Sequence, residues 1–145
     1  METVDDPFNL SRFLSAQQGV YTRALGELRG GRKRSHWIWF IFPQIAGLGA
    51  SAMSRHYAIA SLGEAQAFAE HPLLGERLRA CAEAMLDHHD LSAEEILGQL
   101  DGAKFRSCMT LFAIACPGQA VFTRALARFF VGERDALTLS LLERV

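Results

Sequence analysis

Residues 101–116 leave almost no face for water. Phe105, Cys108, Met109 and Phe112 recur at three- and four-residue steps on one side of a helix, while Leu111, Ala113, Ile114 and Ala115 carry apolar character around the rest of the cylinder. A helix apolar nearly all round has to be covered by its neighbours. The segment is therefore expected to form a buried central helix, N-capped by Asp101 and broken at Pro117-Gly118. The fold class that follows is all-α, a single-domain multihelical array over residues 1–145. A chain of 145 residues buries roughly 70% of its unfolded surface, and 50% hydrophobic with 21% charged residues is the balance of a folded globule.

The flanking segments are shorter and amphipathic. Leu10, Phe13, Leu14, Tyr21, Leu25 and Leu28 predict one first helix, capped by Asp6 or Asn9 and stopped at Gly30-Gly31. A short helix is expected over 51–61. Ser61-Leu62-Gly63-Glu64 has capping-box spacing and opens another, which His71-Pro72 interrupts. Pro72 suits the first position of the next helix, whose Leu74, Leu78, Cys81 and Met85 share a face before it frays at Asp87-His88-His89-Asp90. Ser92-Ala93-Glu94-Glu95 repeats the box, and Gly98 is a natural stop. Beyond Pro117-Gly118, Phe122, Leu126, Phe129 and Phe130 line a helix ended by Gly132, and Asp135 caps the last one. Extended structure is expected only at 37–42, where aromatic and β-branched residues crowd out helix formers.

A formal net charge of −1 supplies no global field to hold nucleic acid or an anionic membrane. No apolar run approaches the roughly 20 residues of a membrane span. The opening residues are acidic and polar where a secretory leader would be basic and then apolar. Cys81, Cys108 and Cys116 are odd in number and lack C-x-x-C spacing, so reduced thiols in a cytoplasmic protein are expected. Consecutive His88 and His89 point about 100° apart on a helix and do not converge on a metal. Neither metal nor cofactor is expected, and no phosphate-binding glycine loop, zinc motif or nucleophile elbow occurs.

Any anion site must then be local, and one stretch suggests it. Arg29, Arg32, Lys33 and Arg34 surround a diglycine, followed by His36, Trp37, Trp39 and the turn region Pro43-Gln44-x-x-Gly47-x-Gly49. Cations near a helix C-terminus need no ligand, but arginine also clamps phosphate or carboxylate and tryptophan offers a stacking face. On the central helix, Asp101, Lys104, Ser107 and Thr110 recur every three residues along the rim of the apolar face. The leading expectation is a basic and aromatic pocket for a small anionic or nucleotide-like ligand, walled by Lys33, His36, Trp37, Trp39, Gln44, Lys104 and Ser107. Were it an enzyme, His36 and Lys104 would be the catalytic candidates. The alternative is a non-catalytic protein–protein interaction module whose basic loop docks an acidic partner. The residues do not decide between them, nor do they set the oligomeric state.

Several patterns together resemble a family of small, mostly bacterial proteins known as domain of unknown function 1810, some of which carry the label calpastatin. They are Asp6-Pro7-Phe8-Asn9-Leu10 with Arg12-Phe13 and Ala16-Gln17, then Ser35-His36-Trp37 through Phe42-Pro43-Gln44 and Gly47-Leu48-Gly49, and further on Tyr57-Ala58-Ile59, His71-Pro72-Leu73-Leu74-Gly75, and Asp101 with Lys104, Ser107, Met109, Thr110, Leu111 and Phe112. The resemblance implies a compact helical fold and supplies no activity. Cys108 stands where that family usually has a second serine, which weighs against chemistry needing two adjacent hydroxyls.

Overall fold

Amphipathic runs broken by glycine, proline and capping serines make short helices, and the computed structural model, which describes residues 5–144, has ten of them among those residues. In chain order they are α1 (Ser11–Gln17), α2 (Tyr21–Arg29), α3 (Ile38–Ile41), α4 (Ala52–His56), α5 (Leu62–Glu70), α6 (Leu74–Leu86), α7 (Ala93–Leu97), α8 (Gln99–Ala115), α9 (Ala120–Phe130) and α10 (Ala136–Leu142). Residues 1–4, whose acidic character argued against a leader, lie outside the described residues, as does Val145.

The protein is a single all-α domain built around α8. Helices α5, α7, α9 and α10 pack against it and α3 reaches it. Phe105, Cys108, Met109, Leu111 and Phe112 are wholly buried. Aromatic rings meet them edge-on or tilted, Phe42 against Phe105 at 4.8 Å and Phe68 against Phe112 at 5.6 Å, an arrangement that suits the ring quadrupoles. The helix begins three residues earlier than the sequence suggested. Gly98, at φ 90°, occupies the N-cap position, so Asp101 sits in the first turn and its carboxylate is free for other partners.

Two further expectations give way. The predicted first helix is two, because Gly19 at φ 76° breaks it into α1 and α2 while both halves keep their apolar stripe on the same core. Leu10 holds the N-cap position of α1, and Asp6 braces that start from upstream, accepting from the N–H groups of Leu10 at 2.7 Å and Ser11 at 3.0 Å. The segment 37–42 is helical rather than extended. Trp37, Ile38, Ile41 and Phe42 are all buried, and a single turn, with Ile41 N–H on Trp37 O at 3.2 Å, satisfies backbone that a lone strand would leave unpaired. Burial here overrides propensity. The extended pairing lies just beyond, where Ile45 and Ile59 form a parallel bridge: Ala46 N–H donates to Ile59 O and Ile59 N–H to Gln44 O, each at 2.8 Å.

Most predicted boundaries have their chemical cause in place. Ser61 accepts from Glu64 N–H, Ser92 and Glu95 complete a reciprocal capping box, and Asp135 accepts from Thr138 N–H. His71, displaced from α5 by Pro72, accepts from the N–H groups of Leu73 and Leu74 and so caps α6. The end of α6 is less frayed than expected: the His88 ring donates to Leu28 O at 2.6 Å, and Arg128 donates to His88 O and Leu91 O. Cys81 and Cys108 are buried and Cys116 half-buried, all three as free thiols.

Candidate functional site

The basic loop after α2 is organised by a residue the sequence did not single out. Glu27 accepts from Arg34 N–H at 2.8 Å, Ser35 N–H at 3.0 Å, Ser35 Oγ–H at 2.6 Å and the Trp37 indole N–H at 2.9 Å. Burial alone would push its carboxyl up, but the Ser35 hydroxyl, the Arg34 amide, the Trp37 indole and the Ser35 amide outweigh it and bring the pKa down to about 2. The loop's backbone donors are thus turned inward onto the chain's own carboxylate. Arg32, Arg34 and His36 are left exposed above it.

Lys33 goes the other way. Its ammonium lies 2.9 Å from Asp101, which Lys104 also reaches at 3.2 Å. Each lysine stands over an indole, Lys33 5.1 Å from the Trp37 ring and Lys104 5.6 Å from the Trp39 ring. The loop and the central helix, about seventy residues apart in sequence, therefore meet in one cluster of two cations, one carboxylate and two tryptophans. Ser107 does not join it. Its side chain is buried 2.9 Å from the Thr138 hydroxyl, where it ties α8 to α10, because three residues on from Lys104 the helix has turned inward.

Trp39 carries the cluster over to a cleft of about 130 Å³. Its walls are Gln44 and the Gly47–Leu48–Gly49 turn on one side, and Arg55 with Tyr57 on the other. Both walls are held. The Ile45–Ile59 bridge ties one to the other. Arg12 donates to His56 O at 2.8 Å and Ala58 O at 2.9 Å while pairing with Glu64 at 2.6 Å, which fastens the Arg55 wall to α1 and α5. Arg12 and Glu64 bury an ion pair whose partners lie 52 residues apart. No local spacing reveals such a pair. Of the expected set, Trp39 and Gln44 line the cleft, Lys104 stands over Trp39 without lining it, Lys33 pairs with Asp101 above Trp37, and His36 and Ser107 lie outside it; Arg55 and Tyr57 are additions.

A larger hollow of about 550 Å³ lies between the start of the chain and α5, with Phe8, Leu14 and Ala67 in its walls. Asp5 and Asp6 at its rim oppose an anion, and His71 is already engaged in capping. Among the described residues, no group of three or more His, Cys, Asp or Glu is placed to hold a metal ion.

A family model described as protein of unknown function (DUF1810) matches residues 7–142. The chain is also similar to the conserved hypothetical protein Rv1873 from Mycobacterium tuberculosis, known from a crystal structure at 1.38 Å. The two are 47% identical, the match covers 95% of this chain and 99% of that one, and the TM-score is 0.94. No curated protein matches.

Proposed function

Since the chain belongs to the family described as protein of unknown function (DUF1810), and membership brings no activity with it, we propose a function from geometry: the protein binds a small anionic, nucleotide-like ligand along Trp39. The observation that carries this reading is the position of that one ring, which lies under the Lys104 ammonium at 5.6 Å and also walls the cleft. A planar group resting on Trp39 would have Lys104 on one side and Arg55 on the other. Two lysines facing one carboxylate leave a positive excess at the edge, and no Asp or Glu lines the cleft to cancel it. Three free thiols, and the absence among the described residues of any helix long and apolar enough to cross a membrane, support the cytoplasmic setting that this reading assumes.

Thermal unfolding with UMP, AMP and inorganic phosphate tests it, with sodium chloride as the ionic control. A ligand at 100 times its dissociation constant stabilises by about 2.7 kcal/mol. Lys104→Met should remove the response to UMP, since methionine keeps the stem's packing and drops the charge. No stabilisation by any of the three at millimolar concentration would remove the proposal. Loss of His36 is the corresponding test of catalysis: were the site an enzyme with His36 as base, His36→Gln would retain binding and lose turnover. The interaction-module reading draws on a separate observation, the exposure of Arg32 and Arg34 over a backbone fixed by Glu27. Binding of an acidic polypeptide abolished by Arg32→Ala with Arg34→Ala, and indifferent to Lys104→Met, would favour it.

A further inference from the structure

The cleft beside Trp39 differs from the basic loop in carrying donors that no protein acceptor occupies. Among the described residues, the backbone N–H groups of Gly47 and Gly49 donate to no protein atom, and neither the Gln44 carboxamide nor the Arg55 guanidinium has a protein partner. Glycine is required at both turn positions. Gly47 has φ 103°, where a side chain is strained, and a Cβ on Gly49 would lie 2.5 Å from the Ser54 hydroxyl. The turn is thereby held close against α4, with amides beside a guanidinium and an indole, in a cleft lined by one cation and no carboxylate. Closely spaced backbone N–H groups make anion-binding concavities, and a guanidinium adds two parallel donors.

Size narrows the occupant. A cavity of about 150 Å³ admits benzene, and this one measures about 130 Å³. The cleft opens to solvent, so its walls enclose about one six-membered ring and any larger portion of a ligand extends outward.

We infer that the cleft takes a planar, one-ring oxyanion of the aromatic or heteroaromatic carboxylate class. The ring lies on Trp39, the carboxylate faces Arg55 and the Gly47 and Gly49 N–H groups, and Gln44 reads the ring edge. This narrows the ligand site proposed above and rests on it; anything attached to the ring projects past Trp39 toward Lys104.

Intrinsic fluorescence reads the event, because Trp37 is fully buried while Trp39 is half-exposed at the cleft. Nicotinate, benzoate and orotate are titrated against nicotinamide, which keeps the ring of nicotinate and replaces its charge, and against quinaldate, which adds a fused ring. At least one one-ring carboxylate should quench saturably, nicotinamide should bind at least about tenfold more weakly than nicotinate, and quinaldate should bind more weakly than nicotinate. Trp39→Phe should remove the signal. Arg55→Gln, at an exposed position, should weaken carboxylate binding at least about tenfold with unfolding unchanged. The inference is overturned if no one-ring carboxylate saturates, if nicotinate and nicotinamide bind alike, if quinaldate binds as well as nicotinate, or if Arg55→Gln binds like the parent. When the carboxylates fail yet UMP stabilises the protein through Lys104, only this inference falls. When UMP, AMP and phosphate fail with them, the ligand reading falls as well.

Discussion

Arg12 holds more of the backbone in place than any other side chain around the cleft, accepting nothing and donating to Phe8 O, Asn9 O, His56 O and Ala58 O besides Glu64. Its side chain is 10% exposed and that of Glu64 5%, so cutting the pair strands a carboxylate in a medium that solvates it poorly. Arg12→Met should therefore cost about 3–5 kcal/mol in urea unfolding. A loss below about 1 kcal/mol would mean that Glu64 finds water once Arg12 is gone. Residues of this kind are the least legible in a sequence. Asp101 was read as a cap because an acid at a helix start usually is one, whereas its partners include Lys33, brought by another loop. The spacing of Ser107 from Lys104 suggests pocket lining, but the position of α10, which no local spacing carries, gives its hydroxyl to Thr138 instead. Trp39 and Gln44 line the cleft and Lys104 stands over the Trp39 ring, since aromatic residues next to glycines already mark a place where backbone and ring come close.

At the scale of elements, the helices that carry a chemical punctuation mark were readable. The Ser92–Glu95 box, the Asp135 cap and the Gly98 stop depend on contacts within a few residues, and spacing reports those. The turn at 38–41 was not, because its helicity comes from burying Trp37, Ile38 and Ile41 against distant helices. The loop joining α2 to α3 owes its shape to Glu27, and this has a pH signature. A carboxyl held at about 2 against an ordinary 4.5 contributes stability that is complete above the unfolded value and is lost as the pH falls toward the folded one. Partial exposure of Glu27 reduces that contribution to about 1–2 kcal/mol. Urea unfolding at about pH 7 and about pH 3 should show Glu27→Gln destabilised at the higher pH and its gap to the parent narrowed to roughly half at the lower. A constant gap between them at both values would mean that the carboxylate charge is not what holds the loop.

For the whole molecule, an α8 apolar around most of its surface already dictated a covered central helix, and with it the all-α class. A net charge of −1 spread over such a surface carries a further expectation. At about 0.15 M salt the protein should show no affinity for random duplex DNA tighter than about 100 μM, and micromolar, steeply salt-dependent binding would contradict it. The thiols buried in that core make the domain its own clock. Burial pushes Cys81 up to about 12 and Cys108 well above the usual thiol range, and raises Cys116 less completely shielded at the end of α8. An alkylating reagent can reach Cys81 on α6 and Cys108 on α8 only when the helices that cover them part. At low reagent concentration, where reclosing outruns modification, each labelling rate relative to a free thiol gives the free energy of the opening that exposes it. Cys116 should be modified first, and the two interior thiols should follow at one shared rate if the helices separate together. A faster Cys81 would instead identify α6 as a unit that swings out while α8 stays enclosed.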